Sequence, residues 1–177
     1  AYESFRELDG IRIYAAEMAK RLTALGWRAE IREGKYANAK IECDQNGGLV
    51  YVNAHINAGM GGNDSQRGEI FYDYQSRPHN GPALAMHIAE TMGALVPYPV
   101  YAKPCRPDTN GVARDGDYAE AYGCIRGVRA VAVCTEPFFL DGAHRESLRT
   151  LDGLQSIGSL IADGIHAWAT ATGRIPA

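Results

Sequence analysis

The sequence has no long hydrophobic run, no excess of positive charge and no closely spaced cysteine pair. No apolar stretch reaches the roughly 18 residues that a membrane-spanning helix needs. With 18 Lys and Arg against 21 Asp and Glu, the net charge is −3. This balance argues against a nucleic-acid-binding protein, because such proteins usually carry a basic patch.

Cysteines are few and scattered, and none of them forms a C-x-x-C pair. Their spacing therefore argues against a cysteine zinc cluster and against a disulfide framework. We expect unpaired, buried thiols, with a single Cys105–Cys124 disulfide as the alternative. A chain of 177 residues with 46% hydrophobic residues can form one domain with its own core. No repeat or linker divides it, so we expect one domain over residues 1–177.

Two kinds of apolar pattern alternate along the chain, and each predicts a different element. Stripes at helical spacing predict three helices: Leu8–Leu25, Pro82–Leu95 and Leu151–Ala171. Short apolar or alternating runs predict five strands: Arg28–Arg32, Leu49–Asn53, Glu69–Tyr74, an edge strand within Val96–Lys103, and Ala130–Thr135. Strands that alternate with helices predict an α/β fold with a mostly parallel, twisted sheet and helices on both faces.

Two predicted strands run into residues that can do chemistry. His55 follows the strand LVYVN, and Glu136 ends the run AVAVCTE. Ligands of such folds bind beyond the carboxyl ends of the strands. The ring of His55 could bind a metal, and burial would raise the pKa of Glu136 and suit it to accept a proton. The alternatives are a structural histidine at a turn and a Glu136 paired with Arg126 or Arg129.

Glu7 lies at the start of the first predicted helix. From its position alone we would assign it to the helix dipole, because acidic residues are favourable in the first turn.

Five segments follow one another in an order that belongs to a known family. They are Glu7–Trp27, Val50–Gly59, Gly68–Tyr74, Ala130–Leu148 and Gly153–Trp168. Together they resemble the zinc-dependent N-acetylmuramoyl-L-alanine amidases of the amidase-3 family. In this comparison the first segment is similar to the family's zinc-glutamate helix, the second to the strand with the second zinc histidine, and the fourth to the segment with the catalytic glutamate.

The resemblance implies a phosphorylase/hydrolase-like fold and a site for catalytic Zn²⁺. It implies that Glu7 and His55 are zinc ligands, that Asn57 binds substrate and that Glu136 is the catalytic residue. The implied activity is hydrolysis of the amide bond between N-acetylmuramic acid and L-alanine in peptidoglycan, as in endolysins and autolysins. Peptidoglycan is then the partner, and the implied setting is extracytoplasmic or phage-borne.

One departure from the family concerns the third zinc ligand. The family begins with a strand that ends in Asp-Pro-Gly-His-Gly-Gly and carries the first zinc histidine, and no such segment occurs here. The resemblance therefore implies an N-terminal segment that is docked as a separate fragment or removed, or a third ligand such as His79 or His144. The alternative function is a catalytically inactive amidase-like module that binds the cell wall or a partner.

Overall fold

The computed structural model describes residues 6–57, 66–111, 118–142 and 144–175. Within these residues the chain forms six helices and four strands. The helices are α1 (Glu7–Ala24), α2 (Tyr36–Gln45), α3 (Gly81–Gly93), α4 (Ala119–Ile125), α5 (Arg145–Leu148) and α6 (Leu151–Ala171). The strands are β1 (Val50–Ala54), β2 (Gly68–Asp73), β3 (Val100–Cys105) and β4 (Val131–Glu136). None of these helices combines the length and the hydrophobicity that a bilayer-spanning helix needs.

The four strands form one mixed sheet in the order β1-β4-β2-β3. β1 pairs with β4 in parallel, and β2 pairs with β3 in parallel. The central pair, β4 and β2, is antiparallel. The predicted α/β class is confirmed, although the sheet is mixed at its centre. This antiparallel pairing turns the amino end of β2 towards the edge of the sheet at which β1 and β4 end.

Helices cover both faces of the sheet, as predicted. α1, α3 and α6 pack on one face around a core that includes Trp168 and Val133. α2 and α4 lie on the other face, where the smaller core includes Phe71 and Cys134. Val133 and Cys134 belong to different cores because successive side chains of a strand point to opposite faces.

The predicted strand at Arg28–Arg32 is not formed, and this segment has no regular structure. Its charged side chains pair locally instead. Arg28 and Arg32 each contact Glu30 at 2.6 Å, and Arg32 also contacts Glu42 at 2.6 Å. Alternation alone does not make a strand, because the backbone groups of a strand need a neighbouring strand with which to pair.

α1 and α6 approach each other so closely at Gly158 that no side chain would fit there. A Cβ atom on Gly158 would lie 2.3 Å from the carbonyl oxygen of Tyr14 and 3.0 Å from the amide nitrogen of Met18. Both atoms belong to the backbone of α1, so neither can rotate away. This contact therefore fixes the distance between the two helices, and with it the position of α1 on the sheet.

We expect Gly158→Ala to lower the free energy of unfolding by about 1–3 kcal/mol, because the added methyl group forces the two backbones apart. Urea unfolding of the variant and the unchanged chain measures the difference. Gly93→Ala is the control, since a Cβ at the end of α3 meets no atom within 4 Å. The control should be neutral or stabilising by up to about 1 kcal/mol. Equal effects of the two substitutions would contradict a tight α1–α6 contact.

Candidate active site

The carboxyl ends of β1 and β4 bring His55 and Glu136 to the same edge of the sheet. His55 directly follows β1, and Glu136 is the last residue of β4. The amide of His55 donates a hydrogen bond to the carbonyl oxygen of Thr135 at 2.9 Å. The parallel pairing of the two strands therefore continues up to His55 itself.

Glu7, the first residue of α1, contacts His55 directly. Its Oε1 atom lies 3.1 Å from Nδ1 of His55 and accepts a hydrogen bond from the amide of Ile56 at 3.1 Å. The hydrogen bond with His55 lowers the pKa of Glu7, and the same bond raises the pKa of His55. Glu7 therefore does more than complement the helix dipole. The side chains of His55 and Glu7 are 45% and 40% exposed, so solvent reaches both.

Tyr14 fixes the backbone at His55 from the same helix. Its buried hydroxyl donates to the carbonyl oxygen of His55 at 2.9 Å and lies 3.4 Å from Oγ1 of Thr135. Burial raises the pKa of Tyr14 well above its ordinary value, so this hydroxyl keeps its proton. α1 thus holds His55 at two points, through its ring by Glu7 and through its backbone by Tyr14.

Burial raises the pKa of Glu136 to about 7, and the negative charge of Glu69 raises it further. Among the residues that the structure describes, no hydrogen bond to the Glu136 carboxylate is present. The two arginines that could have paired with Glu136 are engaged elsewhere. Arg129 donates to the backbone carbonyl of Asp44 at 2.6 Å, and the guanidinium of Arg126 lies over the ring of Tyr122, 5.5 Å from its centroid.

Glu69 is a third carboxylate at this edge, and the sequence analysis did not identify it. It is 1% exposed and lies opposite Glu136 in the antiparallel register of β2 and β4. Its Oε1 atom accepts hydrogen bonds from Arg67 at 2.8 Å and from Lys103 at 2.5 Å. Two cations therefore compensate its buried charge, as burial of a charged group requires.

Asn57, the predicted substrate-binding residue, lies beside this carboxylate. Its side-chain amide donates to Oε2 of Glu69 at 3.2 Å. Its backbone accepts a hydrogen bond from the amide of Leu140 at 2.8 Å and donates to the carbonyl of Phe138 at 3.1 Å. Asn57 thus joins the segment after β1 to the segment after β4. Its role in substrate binding stays a prediction.

The structure does not bring His79 or His144 to Glu7 and His55. His79 follows β2, whose carboxyl end lies at the opposite edge of the sheet, and its carbonyl accepts from Trp168 at 3.2 Å. The ring of His144 stacks on Tyr98 with centroids 5.5 Å apart. The Tyr98 hydroxyl donates to the carbonyl oxygen of Pro137 at 3.0 Å, so His144 lies beside the segment that follows β4. The metal-binding group found among the described residues contains His55 but not His144.

All four cysteines are free thiols, as expected, and Cys124 lies beside Cys134 rather than Cys105. The Sγ atoms of Cys124 and Cys134 and a ring nitrogen of His55 all lie within 4.8 Å of one another. The hydrogen bond between the two thiols, together with burial, raises the pKa of Cys134 well above its ordinary value. The same hydrogen bond lowers the pKa of Cys124. The sequence analysis missed this group, because its spacing matches no metal-binding motif.

Glu7 and His55 fit two of the protein donors of a zinc site. Two donors bound to one tetrahedral zinc ion at about 2.0–2.1 Å are roughly 3.4 Å apart. The carboxylate oxygen and the ring nitrogen of this pair are 3.1 Å apart and reachable from solvent. A small outward movement of either side chain would therefore admit the ion.

We expect the stability of the metal-free chain to depend on pH through Glu136. Its pKa of about 7 in the folded chain exceeds the ordinary value of 4.5, so the folded state binds the proton more tightly than the unfolded state. This contribution to stability is complete below about pH 4.5 and is lost as the pH rises through about 7, up to about 3 kcal/mol in all.

Glu136→Gln removes this dependence, so the variant should gain stability relative to the unchanged chain between about pH 5 and about pH 8. Urea unfolding in a chelator at both pH values measures the gain. Glu90→Gln, at an exposed position of α3, is the control and should show none. A Glu136→Gln variant with the same pH dependence as the unchanged chain would contradict a desolvated Glu136.

Comparison with known proteins gives structural matches alone. No protein-family model and no curated protein matches the sequence. Among solved structures, the N-acetylmuramoyl-L-alanine amidase AmiC2 of Nostoc punctiforme matches with a TM-score of 0.73 and 15% identity, over 96% of this chain and 88% of that chain. The amidase Ami1 of Mycobacterium smegmatis matches with a TM-score of 0.70 and 14% identity, over 97% and 80%.

The catalytic domain of the CD27L endolysin, which targets Clostridia Difficile, matches with a TM-score of 0.66 and 16% identity, over 90% of this chain and 82% of that chain. Likeness at this level of identity concerns the fold. The chain therefore has the α/β fold of the N-acetylmuramoyl-L-alanine amidases, as the order of its sequence segments predicts.

Proposed function

We propose that this chain is a zinc-dependent amidase domain that hydrolyses the bond between N-acetylmuramic acid and L-alanine in peptidoglycan. The observation that carries the proposal is the meeting of Glu7, His55 and Glu136 at one edge of a sheet with an amidase fold. Glu7 begins α1, His55 directly follows β1 and Glu136 ends β4. Three separate elements therefore contribute one residue each to this edge. Peptidoglycan as substrate places the protein outside the cytoplasm or on a phage.

Glu7 and His55 form the metal-binding half of the proposed site. Bound zinc polarises an amide carbonyl and makes water more acidic. Glu7 presents a carboxylate oxygen and His55 a ring nitrogen, which are both common zinc ligands. Tyr14 keeps the backbone of His55 in place, so the ring can be oriented by its contact with Glu7 alone.

Glu136 forms the proton-transfer half of the proposed site. A pKa of about 7 lets it accept a proton from the attacking water and return that proton to the leaving amine of L-alanine. Glu69 lies opposite but is held by Arg67 and Lys103. Asn57, fixed on Glu69, is proposed to bind the substrate next to this carboxylate.

Hydrolysis should depend on Glu136 and zinc binding should not. With zinc and purified peptidoglycan, we expect Glu136→Gln to lower the rate at which L-alanine amino termini appear by about 10²–10⁴-fold, because the proton acceptor is lost. The zinc content of the variant should stay unchanged. Glu90→Gln is the control for the substitution itself. Wild-type release of L-alanine amino termini by Glu136→Gln would exclude the proposed role.

Binding of peptidoglycan by the unchanged, zinc-loaded chain without any new amino termini would instead support the inactive wall-binding module.

Zinc binding should depend on His55. We expect His55→Ala to weaken zinc affinity by at least about 10–100-fold, because an imidazole ligand is removed. Competition with a chromogenic chelator measures the affinity. His87→Ala, on α3, is the matched control. Equal zinc affinity of the two variants would show that His55 is not a ligand.

A further inference from the structure

Cys124, Cys134 and His55 form a group of three donors that is distinct from the pair formed by Glu7 and His55. The two Sγ atoms and a ring nitrogen of His55 all lie within 4.8 Å of one another. Glu7 contacts His55 at 3.1 Å but is not a member of this group. The three donors therefore surround a different position from the one between Glu7 and His55.

Backbone pairing and helix packing hold the two thiols in place. Cys134 lies in β4 opposite Asn53 of β1, and Cys124 lies in α4, which covers this face of the sheet. Cys124 is 4% exposed and Cys134 is 1% exposed. Both belong to the smaller core, so their surroundings are mainly apolar. The thiols are thus fixed beside His55 by the fold and not by mobile side chains.

An amide group points at one of the sulfur atoms. The side-chain nitrogen of Asn53 donates to Sγ of Cys134 at 3.9 Å, and the hydroxyl of Tyr51 donates to the side-chain oxygen of Asn53 at 3.4 Å. A donor aimed at sulfur favours the thiolate, which is the form that binds metals. Cys124 contributes a thiol that donates to the carbonyl oxygen of Ala121 at 3.0 Å. Neither contact occupies the side of the sulfur atoms that faces His55.

The spacing of the three donors is close to that of ligands on one metal ion. Sulfur and nitrogen donors on a tetrahedral zinc ion, at about 2.3 and 2.0 Å from it, are roughly 3.5–3.8 Å apart. The donors of this group, within 4.8 Å of one another, reach that spacing with movements of about 1 Å at the side-chain ends. Rotation about the cysteine χ1 angles can supply such movements.

We propose that His55, Cys124 and Cys134 form a second metal site, which takes a thiophilic divalent cation of the zinc and cadmium type. Binding displaces the two thiol protons to solvent. Two thiolates and a neutral imidazole then balance the two positive charges of the ion, which suits apolar surroundings. Thiolate ligands also select such an ion over the hard cations magnesium and calcium.

His55 is shared between this site and the proposed hydrolytic site. A neutral imidazole has a free lone pair on only one of its two ring nitrogens, so it binds one ion at a time. An ion held by the thiols therefore takes His55 away from the zinc that Glu7 and His55 would hold. This second part of the inference rests on the proposed function, whereas the thiol site itself does not.

Cadmium(II) tests the thiol site on the intact chain under a non-thiol reductant. We expect one cadmium ion per chain and an ultraviolet absorption band from charge transfer between thiolate and cadmium. The Cys124→Ser/Cys134→Ser variant should lose this band and bind cadmium at least about tenfold more weakly. Glu7→Gln should keep the band, because Glu7 lies outside the group of three donors.

Two further variants keep the test decisive if the double variant fails to fold. A Cys43→Ser/Cys105→Ser chain retains only Cys124 and Cys134, so a band in that chain must arise from them. His55→Ala keeps both thiols and should bind cadmium at least about tenfold more weakly than the control His87→Ala. Stoichiometric cadmium binding without a band in the Cys43→Ser/Cys105→Ser chain would overturn the proposal. Equal cadmium affinity of the two histidine variants would also overturn it.

Hydrolysis of peptidoglycan tests whether the two sites share His55. Cadmium should inhibit the zinc-loaded, unchanged chain. The Cys124→Ser/Cys134→Ser variant should need at least about tenfold more cadmium for the same inhibition, because the thiolates give cadmium its advantage over zinc. Equal inhibition of the two chains would overturn the sharing of His55. A chain that shows the cadmium band but releases no L-alanine amino termini with zinc would support the thiol site and contradict the amidase function.

Discussion

The parallel pairing of β1 with β4 is the interaction on which the candidate site depends. It ends with the hydrogen bond between the His55 amide and the Thr135 carbonyl. His55 therefore lies beside the end of β4, next to Glu136. α1 is then aligned to this edge. Glu7 and Tyr14 are seven positions apart, or about two helical turns, and both reach His55. The contact of Gly158 in α6 with the backbone of α1 sets the position of α1 on the sheet.

Two carboxylates face each other across the antiparallel strands β4 and β2, and their surroundings differ. Glu69 is buried between Arg67 and Lys103. Glu136 is partly buried, no arginine or lysine among the described residues pairs with it, and its pKa is raised to about 7. Because one carboxyl group is paired with cations and the other is not, the two have different chemical roles. One of them anchors the edge of the sheet, and the other is able to exchange a proton near neutral pH.

The sequence predicted those parts of the fold in which a local pattern and its tertiary partner agree. α6 has the predicted bounds because its apolar stripe is long and its residues, such as Leu154 and Trp168, are fully buried. Arg28–Arg32 alternates but has no pairing strand, so the pattern was misleading. α4 has seven residues, which is too short for a recognisable stripe.

The same distinction applies to the site. His55 and Glu136 stand at strand ends, which a pattern of strands reveals, and Glu7 was identified through the family resemblance. The contact of Glu69 with Lys103 depends on strand order, which local patterns do not contain. The Cys124–Cys134 contact forms where α4 packs on β4. The sequence predicted β4 but not α4.

The unequal exposure of the two halves of the site has a consequence for its response to salt. Glu7 and His55 are each about half exposed, so dissolved ions can screen their mutual attraction. Glu69 is 1% exposed, so screening of its charge is much weaker, and Glu136 beside it is partly buried. Changes in ionic strength therefore act mainly on the side of the site formed by α1, while the side formed by β2 and β4 keeps its electrostatic balance.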